Sequence, residues 1–360
     1  MKKNKMLTIS RIVLILLPIL VIKLGCSSDD ETEISQIINR NRIPDDISHL
    51  NLKTQFIDEG SPYSGVSLAV LGAYNADLTE LGHLRLETPQ DEIVVSVVNS
   101  FYQDVPIILK IFYNYEEVSF QVTGMGYYDT EFLFNLESGY QINIPFQLYD
   151  NLENNYDLNV LTIGVFEHPE QLTKNADPFT FNTGFGSIFN FSVSYGGENE
   201  IVLSAPYQEL PNQIENIFFR GVMINQYSAE HTIENSDGGV FSMPMEALQV
   251  SSGESIEFYF YANAVISLDV DEPIIDYLII SMLDWQQIPK DGQPHLLVEA
   301  RYDDMHNDII DHGRFTVIMP EEPGFYELVT FIVPNPTTFN ENIVGFPFEL
   351  GFPFTIEVVE

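Results

Sequence analysis

The chain has few basic residues and a single cysteine. Its 360 residues include 53 acidic but only 15 basic side chains, so the formal net charge is −38. Proteins that bind nucleic acid contact phosphates through clustered lysine and arginine, and this balance therefore excludes a nucleic-acid partner. It also argues against electrostatic docking on anionic lipid. One cysteine, Cys26, excludes an internal disulfide framework and a zinc site built from cysteines.

The sequence also lacks the short motifs of common catalytic sites. Gly65-Val66-Ser67 continues as Leu68-Ala69 instead of completing G-x-S-x-G, and the sequence has no S-x-x-K box, H-E-x-x-H pair or phosphate-binding loop. Glycosidases use a pair of carboxylates, but acidic residues are so numerous here that such a pair is expected by chance and does not indicate an active site. These absences predict that the protein is not an enzyme, with an extracellular hydrolase as the least favoured class.

The first 25 residues differ from the rest of the chain. They begin with the basic residues Lys2, Lys3, Lys5 and Arg11 and continue with an apolar run of 11 residues at 12–22. A helix that spans a bilayer needs about 17–25 apolar residues, so this run is too short. A basic start followed by a short apolar run predicts a signal peptide over residues 1–25.

Cys26 follows directly after this segment. Small Gly25 precedes it, and the polar stretch Ser27–Glu31 follows. The arrangement resembles a bacterial lipoprotein signal, which implies that Cys26 is diacylated and that the chain is cut before it. Lys23 departs from the pattern, because the family usually has an apolar residue three positions before the cysteine. An uncleaved short anchor and a chance thiol are the alternatives.

The lipoprotein resemblance implies a location and a charge for the mature chain. Lipid on Cys26 would attach the protein to a membrane of the cell envelope, with the ectodomain outside the cytoplasm. Without residues 1–25 the chain loses five basic residues and no acid, which leaves 10 basic and 53 acidic residues and a net charge of −43. The acids are spread along the chain, so we interpret them as an adaptation to solubility or environment.

Apolar residues make up 45% of the chain, enough for a core, and their spacing indicates β-strands. Ile142–Leu148 and Ile256–Tyr261 alternate apolar and polar side chains, and Pro145 predicts that the first of these is an edge strand. Continuous apolar runs predict strands buried on both faces. These runs are Ile93–Val98, Ile107–Phe112, Leu158–Phe166 and Tyr277–Leu283.

Short strands separated by turn residues predict an all-β fold. We expect two antiparallel β-sandwich domains in tandem, at residues 63–205 and 206–360, after the signal peptide and a flexible tether at 26–62. The architecture resembles tandem immunoglobulin-like sandwiches, which are common on bacterial surface proteins, although the Cys–Trp–Cys core signature is absent.

Two pairs of segments indicate an internal repeat. Ser138–Ile144 matches Ser252–Phe258, and Tyr156–Phe166 matches Asp276–Trp285. Either the two domains arose by duplication, or the matches reflect the likeness of any two sandwich hairpins.

One acidic segment, Asp303 to Asp311 with His306 and His312 in and beside it, is the strongest candidate for a metal site. Its carboxylates could hold Ca²⁺, which prefers six to eight oxygen ligands. The alternative is an exposed connection between two strands, because the segment lacks the spacing of an EF-hand loop. Asp269–Glu272 and Asn151–Asp157 are similar acidic loops. His306 and His312, six residues apart, could instead serve a transition metal. Apart from the possibility of calcium, we expect no cofactor.

Aromatic residues are a second candidate for binding, by stacking on a sugar or a peptide. They equally fit core packing, because strands favour aromatic side chains. The function that these features favour is a non-catalytic cell-envelope lipoprotein with a structural, adhesive or binding role and a protein or glycan partner. A carbohydrate-binding or nutrient-capture lipoprotein is the alternative. The candidate stacking residues are Tyr113, Tyr115, Tyr127, Tyr128, Tyr259, Tyr261, Trp285 and Phe339.

Overall fold

The computed structural model describes residues 47–57, 66–72, 83–88, 90–149, 158–169, 187–194, 207–208, 212–215, 221–225, 247–263, 276–290, 293–300, 309–334, 336, 349–350 and 354–360. The predicted signal peptide, Cys26, most of the predicted tether and the expected boundary at 205/206 lie outside these ranges. The described elements are strands, apart from one 3-10 helix at Ile47–Leu50, which confirms the all-β class. Within these ranges, no helix is long and apolar enough to cross a membrane.

The first sandwich has two sheets. Its strands are β1 (Lys53–Phe56), β2 (Val66–Gly72), β3 (His83–Arg85), β4 (Ile93–Asn99), β5 (Val105–Tyr113), β6 (Glu116–Glu117), β7 (Phe120–Val122), β8 (Glu131–Leu136), β9 (Tyr140–Leu148), β10 (Leu158–Glu167) and β11 (Ser187–Ser194). Outer sheet 1 has the order β1-β9-β4-β2, with β7 also paired to β9. Inner sheet 1 has the order β3-β11-β10-β5, and β5 pairs further with β6 and β8. Only β3, parallel to β11, departs from antiparallel pairing among these described strands.

The second sandwich also has two sheets. Its strands are β12 (Tyr207–Gln208), β13 (Asn212–Glu215), β14 (Gly221–Asn225), β15 (Leu248–Ser251), β16 (Ser255–Asn263), β17 (Asp276–Leu283), β18 (Gln286–Gln287), β19 (His295–Glu299), β20 (Ile309–Ile318), β21 (Gly324–Pro334), β22 (Glu349–Leu350) and β23 (Phe354–Val359). Outer sheet 2 has the order β13-β20-β16-β14. Inner sheet 2 has the order β12-β19-β17-β21-β23-β15, with β18 on β17 and β22 on β21.

The two sandwiches share one strand order. The inner path β3-β11-β10-β5-β8 corresponds to β15-β23-β21-β17-β19, and both paths end in a parallel pair, β3 with β11 and β15 with β23. The outer path β9-β4-β2 corresponds to β20-β16-β14. This confirms tandem immunoglobulin-like sandwiches.

The predicted alignment of the repeat is nevertheless wrong. The sequence matched segments of β9 with β16 and of β10 with β17, whereas the strand order equates β9 with β20 and β10 with β21. The error has a physical cause. Several strands of a sandwich carry the same alternating or doubly buried pattern, so short matches do not identify equivalent strands.

The predicted inward faces are buried. In β9 the side chains of Ile142, Ile144, Phe146 and Leu148 are buried, and in β16 those of Ile256, Phe258 and Phe260 are buried. The alternating pattern therefore predicted the core-facing side of both strands correctly.

Pro145 does not mark an edge strand, contrary to the prediction. β9 has β4 on one side and both β1 and β7 on the other, with β1 along residues 140–143 and β7 along residues 146–148. Pro145 lies at the break between those two short strands, where its carbonyl accepts a hydrogen bond from the Thr123 N–H (2.8 Å). Its nitrogen faces the same side, so the missing N–H does not interrupt the ladder with β4.

The sheets stack in four layers with three apolar cores. One core lies inside each sandwich, and the third joins the two inner sheets. The inner strands are therefore buried on both faces, as predicted for Ile107–Phe112 and Tyr277–Leu283. Val94 and Val98 are only half-buried because their strand, β4, belongs to outer sheet 1, so the prediction was wrong there. The two sandwiches belong to one compact unit.

Residues 47–57, which the sequence placed in the tether, contribute to the first sandwich. Leu50 is buried in its core, and β1 extends outer sheet 1 by pairing with β9. All four side chains of β1 are exposed. This strand therefore has no apolar face that a sequence pattern could reveal.

Candidate functional site

The third core is centred on two equivalent hairpins, β5–β6 and β17–β18. Asn114 and Tyr115 have φ of 50° and 66°, and Asp284 and Trp285 have φ of 48° and 67°. Positive φ at both central residues is the requirement of a type I′ turn, which usually places glycine at the second position. Here a large aromatic residue takes that strained position in both hairpins. We infer that the strain is retained because the ring is needed in the interface.

The first turn residue of each hairpin is tied to the neighbouring strand. Val160 donates its N–H to Asn114 Oδ1 (2.9 Å), and the Asn114 N–H donates to the Val160 carbonyl (2.8 Å). Glu327 and Asp284 form the same two hydrogen bonds, both at 2.9 Å. Asparagine and aspartate suit this position because they tolerate positive φ. Their side-chain oxygen also accepts a hydrogen bond from the backbone N–H of the neighbouring strand.

The second turn residue of each hairpin reaches across to the other sandwich. The Tyr115 hydroxyl donates to the Pro336 carbonyl, and Trp285 Nε1 donates to the Pro169 carbonyl, both at 2.8 Å. Tyr115 is fully buried, and burial raises the pKa of its hydroxyl, so it acts as a neutral donor. The Trp285 ring packs on Phe166 at 4.9 Å between centroids. The arrangement is reciprocal, as expected for a pair of related domains.

The strands that follow the two turns meet across the interface. Glu117 donates its N–H to Gln287 Oε1 (2.6 Å), and Gln287 donates its N–H to Glu117 Oε2 (3.0 Å). Gln287 Nε2 also donates to the Tyr115 carbonyl (2.9 Å). These bonds satisfy backbone groups that would otherwise be buried without partners.

A buried ion cluster lies on the first-sandwich side of the interface. Lys110 is fully buried, and its Nζ contacts Glu117 Oε1 and lies 3.7 Å from Glu131 Oε2. Glu117 therefore holds both Lys110 and Gln287. In the second sandwich the corresponding strand register places Ile280 opposite His295, where the first has Lys110 opposite Glu131. This ion pair therefore has no counterpart at the corresponding position of the second sandwich, and the interface is not symmetric in its chemistry.

His295 is a buried, neutral member of the interface. Its ring lies edge-on to the Tyr115 ring at 6.4 Å between centroids. Burial, with a smaller effect of the Lys290 charge, lowers its pKa to about 4. Within the described ranges, neither ring nitrogen has a hydrogen-bond partner. Protonating this side chain would place a charge in an apolar environment.

Glu167 is a site residue that the sequence analysis missed. It is buried at the end of β10, and burial raises its pKa to about 7, despite a hydrogen bond from the Val66 N–H and the nearby charge of His168. A carboxyl group that titrates near neutrality is suited to acid–base chemistry. Its bond to the first residue of β2 is also structural, because it links the inner and outer sheets of the first sandwich. The sequence signal was an acid directly after the apolar run Leu158–Phe166.

The predicted aromatic stacking residues do not form one surface. Tyr113, Tyr115, Tyr261 and Trp285 are buried, which favours the packing alternative for these four. Tyr259 is half-buried, and its hydroxyl donates to Glu257 Oε1 (2.5 Å). Phe339 lies outside the described residues.

Tyr127 and Tyr128 are exposed, and Tyr128 contacts a residue that the sequence analysis did not select. The Tyr128 ring meets the Tyr149 ring edge to face, with centroids 5.2 Å apart and planes at 76°. We call Tyr127, Tyr128 and Tyr149 the tyrosine cluster. Sequence spacing does not bring residue 149 to residue 128, because the contact depends on how β9 runs past the β7–β8 connection.

The acidic segments are only partly covered by the structure. Residues 303–308, Asp269–Glu272 and Asn151–Asp157 lie outside the described ranges. Asp311 and His312 lie within β20, opposite Ala262 and Tyr261, and not in a connection. Among the described residues, no group of three or more His, Cys, Asp or Glu side chains could hold a metal ion.

No protein-family model and no curated protein matches this chain. Among solved structures, similar chains include the C-terminal domain of the Streptococcus agalactiae AgI/II polypeptide BspA, with 9% identity, 81% of this chain and 100% of that chain covered, and a TM-score of 0.21. The C-terminal domain of the Streptococcus pyogenes antigen I/II-family protein AspA has 9% identity, coverage of 82% and 100%, and a TM-score of 0.19. Red sea bream transglutaminase has 10% identity, coverage of 82% and 31%, and a TM-score of 0.20. Likenesses at this level assign no function to the chain.

Proposed function

We propose that this chain is an exported, lipid-anchored protein of the cell envelope that has no catalytic activity and serves a structural, adhesive or binding role. The reciprocal bonds of Glu117 with Gln287 carry the structural part of the proposal, because they join the two sandwiches into one unit. The anchor rests on the sequence around Cys26. Lipid on Cys26 would hold this unit at a membrane.

The use of the buried polar groups supports a non-catalytic role. Tyr115 and Trp285 each donate to a carbonyl of the other sandwich, and Lys110 is held by two carboxylates. Each of these groups stabilises the interface. Glu167 differs from these groups, because a carboxyl group with a pKa of about 7 could serve an enzyme as an acid or a base. It nevertheless has a structural role, since it accepts a hydrogen bond from the Val66 N–H.

Carbohydrate capture is the second candidate function. The tyrosine cluster favours it, because exposed tyrosine rings offer apolar faces for sugar stacking. A cluster of adjacent exposed rings is more informative than single exposed apolar residues, which are common on protein surfaces.

Membrane fractionation of Cys26→Ala tests the anchor. We expect the wild type in the membrane fraction with incorporated labelled palmitate, and the variant unlabelled and released from the membrane. Ser27→Ala, which leaves the cysteine in place, is the matched control and should behave as wild type. A Cys26→Ala protein that remains membrane-bound would show that the uncleaved N-terminal segment is the anchor.

Assays of the purified full chain with oligosaccharides and peptides test the absence of catalysis. We expect mass spectrometry to detect no new product after prolonged incubation. A product formed by the wild type and lost in Glu167→Gln would overturn the non-catalytic proposal.

A further inference from the structure

The tyrosine cluster combines exposure with close contact between rings. Tyr127, Tyr128 and Tyr149 are 51%, 37% and 44% exposed. The edge-to-face contact of Tyr128 with Tyr149 fixes the two rings nearly at right angles. The cluster therefore presents aromatic faces to solvent, with two of its rings in a fixed, nearly perpendicular arrangement.

The backbone around the cluster is held by hydrogen bonds. Phe120 and Asp129 exchange both N–H···O bonds, at 2.8 and 2.9 Å, directly beside Tyr128. The Tyr149 N–H donates to the Ser119 carbonyl (3.1 Å). These bonds order the backbone that carries the rings, which reduces the backbone entropy lost when a ligand engages them.

Basic residues are few in the part of the chain that the structure describes. The described residues include five lysines and arginines, namely Lys53, Arg85, Lys110, Lys290 and Arg314. Lys110 and Lys290 are buried, and Arg314 forms an ion pair with Glu257 at 2.8 Å. Exposed Asp129 adds a carboxylate next to Tyr128.

We propose that the tyrosine cluster binds the lysine or arginine side chains of a basic peptide segment, an inference that rests on the proposed binding role. Ring faces attract cations through their negative electrostatic potential. The acidic surface raises the local concentration of cations and speeds their encounter with the site. A neutral sugar also stacks on tyrosine but gains nothing from the charge.

Fluorescence anisotropy with a labelled octalysine peptide, on the detergent-solubilised full chain, tests the proposal. Replacing both Tyr128 and Tyr149 by leucine should weaken binding about 5- to 30-fold, from roughly 0.5–1 kcal/mol for each exposed cation–ring contact. Tyr102→Leu is the matched control, because Tyr102 is exposed but lies outside the cluster, and it should bind as wild type. Added salt should weaken binding by the wild type.

Several results would overturn the proposal. Equal affinity of the wild type and the double variant would show that acidic charge alone binds the peptide. Competition by uncharged maltohexaose at the cluster would favour glycan capture instead. We also expect free arginine to displace the peptide from the wild type, whereas glutamine at the same concentration should not. Equal displacement by the two amino acids would contradict recognition of a cation. Membrane release of Cys26→Ala does not depend on these tyrosines, so failure here leaves the anchor proposal untouched.

Discussion

Glu117 and Gln287 lie 170 residues apart in the chain and hydrogen-bond to each other in both directions, each backbone N–H to the other's side-chain oxygen. An approximate two-fold relation between the sandwiches follows from this pair. It equates Tyr115 with Trp285, whose side chains make reciprocal bonds. The equivalence does not extend to charge, because Lys110 and Glu117 of the first sandwich correspond to Ile280 and Gln287 of the second.

Removing the Glu117 charge should therefore destabilise the protein. Glu117→Gln keeps the bonds to Gln287 but leaves buried Lys110 with Glu131 alone, and we expect a loss of about 2–4 kcal/mol in the free energy of unfolding. Urea denaturation measures it. Adding Lys110→Met and Glu131→Gln should recover most of the loss, because no charge of the cluster then remains unpaired. Equal instability of the single and triple variants would mean that the ion cluster is not the cause.

Substitutions in the hairpin turns test whether the side-chain hydrogen bonds of Asn114 and Asp284 outweigh the preference for glycine at positive φ. Glycine is favoured at positive φ, so Asn114→Gly would be stabilising if φ alone mattered. We expect instead a loss of about 1 kcal/mol, because the bond from the Val160 N–H is removed. Asp284→Gly should lose about 1–3 kcal/mol, since its carboxylate is charged. Thermal or chemical denaturation measures both, Asn114→Asp is the control that keeps the acceptor, and stabilisation by glycine would contradict the prediction.

The sequence predicted strands and inward faces well but not what covers the inner sheets. An apolar run such as Ile107–Phe112 indicates burial on both faces without naming the second partner. Lys110 inside that run was the available signal, because a charge in a doubly buried strand requires a partner in the interior. Its partners Glu117 and Glu131 are set by the strand pairing, which the sequence does not show.

The interface residues were not predictable for a different reason. Tyr115 and Trp285 follow Asn114 and Asp284 in turns where glycine is the expected residue. An aromatic residue at such a position signals a requirement from tertiary structure that outweighs local preference. The sequence analysis selected Tyr127 and Tyr128 of the tyrosine cluster but not Tyr149, because only the fold brings Tyr149 to Tyr128.

The contribution of His295 to stability should fall in mild acid. Its pKa is about 4 in the folded state and about 6.5 unfolded, so between these values the unfolded state binds more protons. The contribution of His295 is thus full above pH 6.5 and is lost as the pH falls toward 4. Among the described residues, Lys290 adds a positive charge that also lowers this pKa, and the Tyr115 ring lies edge-on to the imidazole. Denaturation of wild type and His295→Gln from pH 4 to 7 measures this. The advantage of the wild type should shrink as pH falls, and a constant difference would contradict a buried neutral imidazole.

Glu167 should act in the opposite direction over nearly the same range. Its pKa is raised by burial from 4.5 to about 7, so between these values the folded state binds more protons. The stability that Glu167 contributes is full below pH 4.5 and is lost as the pH rises through 7. In the wild type this loss opposes the gain from His295. Glu167→Gln cannot titrate, so its free energy of unfolding should rise more steeply with pH between 4.5 and 6.5 than that of the wild type. Equal slopes for the two proteins, measured by urea denaturation at half-unit pH steps, would show that Glu167 is not the compensating group.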